Sequence, residues 1–118
     1  MNGAPAVRIL LGSASSIGPG KARLLEAVAE HGSISAAARS MDMSYRRAWL
    51  LINSMNQHCA QPLVVTAAGG QKGGGAQLTP FGAEIVRRYR QMEAKAAECL
   101  QDDLEDFARF LQAEKPQQ

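Results

Sequence analysis

Apolar and polar positions alternate along this chain with periods that change from segment to segment, and the changes mark the elements. Residues 7–11, VRILL, form a short apolar run that predicts a strand, followed by the breaker-rich GSASSIGPG. That strand is available to pair with a later hairpin. Residues 21–31 then set Ala22, Leu25, Val28 and Ala29 on one stripe and predict a first full helix, entered near Pro19 or Gly20 and ended by Gly32. Residues 32–58, GSISAAARSMDMSYRRAWLLINSMNQH, predict two short helices joined by a tight turn. The first runs from about Ser33 or Ile34 to Met41, with Ala36, Ala37 and Ala38 as strong helix formers whose small side chains let a second helix cross closely. Asp42 and Met43 make the turn and Ser44 caps the second helix. Along that helix Ala48, Ile52, Met55 and Cys59 recur on an inward face, whereas Arg46, Asn53 and Gln57 share another side.

Residues 61–66, QPLVVT, read as a strand, and residues 77–79 return to an extended pattern after the glycine-rich AAGGQKGGGA. Two strands around such a segment predict a hairpin with a long tip, a wing set directly after the helix-turn-helix. Thr79 caps the last helix and Pro80 fits its first turn. From Phe81 to about Gln112 the residues Ile85, Tyr89, Met92, Ala96, Leu100, Leu104, Phe107 and Leu111 keep one side apolar in steps of three or four. A helix of about 30 residues is about 45 Å long, more than so small a core can cover. The same helix of a second subunit would cover it, which makes Ile85, Tyr89, Met92, Leu100, Leu104, Phe107 and Leu111 the expected dimerisation residues. A break near residues 101–103, giving two helices, is the alternative. The fold expected is mainly α with a small β-hairpin: a single winged helix-turn-helix domain, with its winged core at about residues 7–80 and a long C-terminal dimerisation helix at about 80–112.

Composition narrows the class. The chain has 118 residues, 46% hydrophobic and 20% charged, enough for one ordinary domain and too few for two. Its longest apolar runs fall well short of the roughly 18 residues of a membrane span, and the N-terminal run is too short for a signal peptide. Cys59 and Cys99 stand far apart without CxxC or histidine company, which predicts free, largely buried thiols in a reducing cytoplasm and no metal site. The net charge of +2 hides an asymmetry, because residues 1–92 hold 10 Lys and Arg against 4 Asp and Glu, and residues 93–118 hold 3 against 7. The basic part contains the helix-turn-helix, and a positive body attracts phosphate.

The candidate chemistry is that of DNA contact. Arg46 and Arg47, just inside the second helix, can each fork onto guanine or clamp a phosphate. Tyr45 can offer its hydroxyl to phosphate or its ring to a thymine methyl, or pack against Trp49, which reads mainly as core. Ser33, Ser35 and Ser44 lie at helix starts, where they cap or hold phosphate, and Asn53 is reachable for a base or phosphate. Gln71, Lys72 and Gly73 stand at the wing tip, where the glycines allow close approach to a sugar-phosphate surface. The glycine cluster lacks the GKS or GKT ending of a nucleotide loop. His31 and His58 are distant in sequence and without repeated carboxylate spacing, and Asp102, Asp103, Glu105 and Asp106 read as a solvated helix face. No enzyme chemistry and no cofactor is expected.

These residues also carry a resemblance. The segment GSISAAARSMDMSYRRAWLLINSMNQ, the PLV after it, the GG-K-GGGA tract and the LTPFG that opens the last helix are similar to the N-terminal DNA-binding domain of the ModE family of molybdate-responsive transcriptional regulators. The match covers residues 32 to about 89 closely and the preceding helix more loosely, and SYRRAW at residues 44–49 with KGGGAQLT at residues 72–79 is its most specific part. A weaker likeness extends to LysR-type regulators, through the GSISAAA start and the LT-x-x-G entry to a long helix. The resemblance implies a winged helix-turn-helix homodimer on a palindromic operator, with Ser44, Tyr45, Arg46 and Arg47 at the start of the recognition helix and Gln71, Lys72 and Gly73 on the wing. Members of that family also carry C-terminal β-barrel domains that bind molybdate, to which no segment of this chain corresponds, so direct molybdate binding is not expected. The reading is a cytoplasmic regulator specific for double-stranded DNA; the alternative is a protein-interaction module that docks through its long helix.

Overall fold

The computed structural model describes residues 9–11, 15–67 and 74–111. Strands β1 (Ile9–Leu11) and β2 (Ser15–Ile17) precede helices α1 (Pro19–His31), α2 (Ile34–Ser40) and α3 (Tyr45–His58). Strands β3 (Val64–Ala67) and β4 (Gly75–Leu78) come next, and α4 (Pro80–Cys99) and α5 (Gln101–Ala108) close the described chain. The winged helix-turn-helix expected from the sequence is present in α1 to β4, with α4 packed behind it against α1 and β4.

The core gathers on α1, which buries Ala22, Leu24, Leu25, Ala27 and Val28 against α2, α3, β4 and α4. Because neighbours approach it from several sides, its buried arc is wider than the predicted stripe. Leu24 and Ala27 join it, and Ala29 lies on the solvent side. Gly32 ends the helix at φ 77°, donating its amide to the Val28 carbonyl, while its own carbonyl accepts from Ala76 of β4. One residue thus stops α1 and ties the wing to it.

Ala37 and Ala38 of α2 and Ala48 of α3 are buried, and their small side chains bring the two helices close. The turn between them is shaped by Asp42 at φ 55°, a left-handed conformation that a short polar side chain tolerates. Met41 and Met43 both donate to the Ala38 carbonyl, so the end of α2 is hydrogen-bonded where the chain reverses.

Besides Ala29, further expectations are corrected. The N-terminal strand pairs antiparallel with β2, Ile9 opposite Ile17, and not with the wing; the stretch expected to be only a breaker contains its partner, which rests on α3 and α1. The first wing strand begins later than predicted, at Val64, because the residues before it serve another purpose, and the second begins earlier, at Gly75. The Asn56 side chain accepts from the amides of Leu63 and Val64 at 2.8 and 3.3 Å and donates to the Val64 carbonyl at 3.0 Å, holding the connection against α3. The long C-terminal helix is not continuous: the alternative of two helices is the one present, with the interruption at Leu100 (φ −99°, ψ 6°) and Asp102 and Asp103 in the first turn of α5, where a helix start favours negative charge. Cys59 is half-buried and Cys99 exposed, so the expectation of two largely buried thiols fails for the second; both are free. Burial nevertheless pushes the Cys59 thiol pKa up.

The entry to α4 is tightly built. Thr79 accepts from the Gly82 amide at 2.8 Å through its hydroxyl oxygen, which also donates to the Pro62 carbonyl, and its own amide donates to Leu63. A Cβ on Gly82 would overlap the Leu63 carbonyl oxygen. Only glycine lets α4 start this close to the wing.

Candidate nucleic-acid interface

The exposed start of α3 is the most basic part of the helix-turn-helix. Ser44 caps it by accepting from the Arg47 amide at 3.1 Å, which fixes the first turn and sends Tyr45, Arg46 and Arg47 into solvent. The helix contains no Asp or Glu, and among the described residues neither Arg46 nor Arg47 has an ion-pair partner. Two guanidinium groups are therefore held beside a positive helix end with their donors unspent.

The neighbouring elements frame this helix start. A cleft of about 490 Å³ opens between α2, α3 and the base of the wing, lined by residues that include Ser33, Ser35, Tyr45, Trp49 and Thr66. Ser33 is committed to capping α2, accepting from Ala36 at 3.0 Å, and remains at the cleft wall. Asn53, two turns along α3, is half-buried. The structure thus brings Ser33, Ser35 and Tyr45 to one cleft, with Arg46 beside Tyr45 at a neighbouring hollow, Ser44 and Arg47 at the same helix start, and Asn53 further along the helix. Gln71, Lys72 and Gly73 lie outside the described residues; the strands that lead to them, β3 and β4, border the same cleft.

Trp49 corrects its sequence reading as core: it is 42% exposed. The inward positions of α3 are taken by Ala48, Ile52 and Met55, and the residue after Ala48 is turned by about 100° to the flank, above Tyr45. Leu50, not singled out in the sequence, is 48% exposed one turn beyond Arg46. The signal available for it was the i, i+4 relation to Arg46, which puts an apolar side chain on the outward side.

The expected dimerisation stripe divides into two parts. Tyr89 is only 1% exposed, and Ile85 is half-buried against the same core, so both pack inside their own subunit. Val86 completes that buried seam, which is where α4 meets the core. Met92, Leu100, Phe107 and Leu111 are exposed, Leu104 is half-buried, and Phe110 is added to them at 84% exposure. No residue of α5 is buried.

The sequence model of a bacterial regulatory helix-turn-helix protein of the LysR family matches residues 20–83, from α1 through the wing to the start of α4. The chain belongs to this family. The LysR-type match spans every element that frames the cleft, including Gly82 at the entry to α4. Individual relatives narrow the likeness. The molybdenum transport protein ModE of Azotobacter vinelandii is 47% identical over 78 residues, 66% of this chain and 29% of its own. The DNA-binding transcriptional dual regulator ModE of Escherichia coli is 42% identical over 88 residues, 72% of this chain and 34% of its own. The molybdenum-pterin-binding protein MopB of Rhodobacter capsulatus is 41% identical over 92 residues, 78% of this chain and 34% of its own. The chain spans about a third of the length of the curated relatives it matches. Among the described residues no helix is long and apolar enough to cross a membrane.

Proposed function

We propose that this chain is a cytoplasmic transcriptional regulator that binds a palindromic duplex operator as a homodimer, each subunit laying the start of α3 in the major groove. The observation that carries the reading is the pair Arg46 and Arg47, exposed at a capped helix start and without ion-pair partners among the described residues. An arginine in that position forks onto guanine or holds phosphate, and Ser33, Ser35, Ser44 and Tyr45 supply further donors to the backbone alongside. Asn53 reaches the same groove from further along α3, and the wing, with Gln71, Lys72 and Gly73, meets the adjoining backbone.

The second subunit joins through α5 and the end of α4. Met92, Leu100, Leu104, Phe107 and Leu111, together with Phe110, form an apolar surface that a single copy leaves largely in water, and a two-fold partner would cover it. The molybdenum and pterin in the relatives' names describe those whole proteins. For this chain we assign duplex DNA as the partner.

Selection from randomised duplex DNA tests the reading. The bound fragments should share an inverted repeat, and sedimentation should give a dimer that becomes a monomer in Phe107→Glu with the melting transition retained. If Arg46 or Arg47 reads a base, its alanine variant relaxes preference at one position of the repeat; if it holds phosphate, the variant weakens all duplexes and lowers the salt slope by about one. Failure to enrich any sequence would refute the reading.

A further inference from the structure

We infer that Tyr45, Arg46 and Trp49 form a thymine-methyl site on the reading helix, extended along the helix by Leu50. The inference rests on the proposed duplex binding and names what part of the duplex these side chains recognise. An open hollow of about 260 Å³ is walled by Tyr45, Arg46 and Trp49. Both aromatic residues are more than two-fifths exposed, as is Leu50 one turn from Arg46. The start of α3 therefore mixes unspent guanidinium groups with an uncovered apolar surface, in a helix without a single acid.

That mixture selects its partner. Arg46 and Arg47 call for an anion, and the apolar surface between them and Leu50 calls for something apolar within that anion's surface. In the major groove of duplex DNA the thymine C5 methyl is the apolar group among the base edges, and it stands beside the acceptors an arginine reads. Tyr45 and Trp49 lie one helical turn apart and Arg46 borders the same hollow, so a base pair engaged by Arg46 would lie next to one whose methyl enters it. A single leucine in water needs no explanation, whereas three large apolar side chains around the basic start of a helix do.

Replacing single thymines of the selected duplex by uracil removes the methyl and nothing else. Wild-type protein should lose about fourfold in affinity at one or more thymines of each half-site. At those thymines Trp49→Ala or Leu50→Ala should bind the thymine and uracil duplexes equally, while retaining the wild-type melting transition and the low-salt affinity for unrelated DNA. Indifference of the wild type to every such replacement, or undiminished discrimination in both variants, would overturn the inference and leave the proposed duplex binding standing. If the wild type enriches no duplex at all, both fall together.

Discussion

Helices α3 and α4 each carry neighbouring arginines on an exposed surface, and they use them in opposite ways. On α4, Glu84 receives both Arg87 and Arg88, and Arg90 is bound on one side to Glu93 at 2.7 Å and on the other to Glu26 of α1 at 2.8 Å. The two guanidinium groups hold the exposed Glu84 carboxyl down to a pKa of about 2. On α3, Arg46 and Arg47 face water with no acid in their helix. Both helices are net positive; what tells them apart is that acids stand beside the arginines of α4 and none stands in α3. Arginines already engaged by carboxylates have less to offer a phosphate, so the three arginines of α4 add less to the basic character of the first 92 residues than the pair at the start of α3.

The sharpest break between the two helices should come from removing their arginines. In the double variant Arg46→Ala and Arg47→Ala, affinity for the selected duplex should fall by at least about a hundredfold with melting unchanged, as read by titration and thermal denaturation. Next in size is Asn56→Ala, which leaves the Leu63 and Val64 amides without their side-chain acceptor and should cost about 2 kcal/mol in denaturant unfolding.

A smaller effect is expected at the bond between α1 and α4. Glu26→Gln should lower stability by about 0.5 kcal/mol, since the pair is partly exposed and screened. Its pH dependence has a definite sign. Hydrogen bonding to Arg90 holds the Glu26 carboxyl below its usual value of 4.5, so the contribution is complete above that pH and is lost as pH falls through the lowered value. The melting difference between wild type and Glu26→Gln should therefore shrink in acid. Smallest of all, Arg88→Ala should change stability by less than about 0.5 kcal/mol and duplex affinity by less than about threefold. A loss at Arg88 equal to that at Arg46 would erase the distinction between the helices.

Periodicity and caps made most of the fold legible. Ser33, Ser44 and Thr79 cap the helices their positions announced, and Ala48, Ile52 and Met55 point inward as their spacing required. The motif LTPFG was readable as a helix entry, but the need for its glycine was not, because the Leu63 carbonyl that excludes a side chain comes from a segment 19 positions earlier. Asn56 was silent for the same reason: its partners are backbone groups, which leave no signature in residue types. At the site the basic and hydroxyl residues were legible by type. The exposure of Trp49 was not, because a tryptophan among aliphatic neighbours has the look of core until the crossing of α2 and α3 decides which side is covered. The same limit applied to Tyr89, whose spacing fits an outward stripe as well as the inner seam it occupies.

The interruption at Leu100 separates what each half of the C-terminal segment belongs to. Before it, Val86 and Tyr89 lock α4 to the body that holds the reading helix; beyond it, α5 has its apolar residues uncovered. The angular phase between the proposed DNA-facing side and the part of the proposed mating side that lies on α5 is thus set at this joint. A single residue inserted there would rotate α5 by about 100° and swing Phe107 and Leu111 out of alignment, leaving the head intact but, in the proposed dimer, aiming its twin at the wrong turn of the duplex.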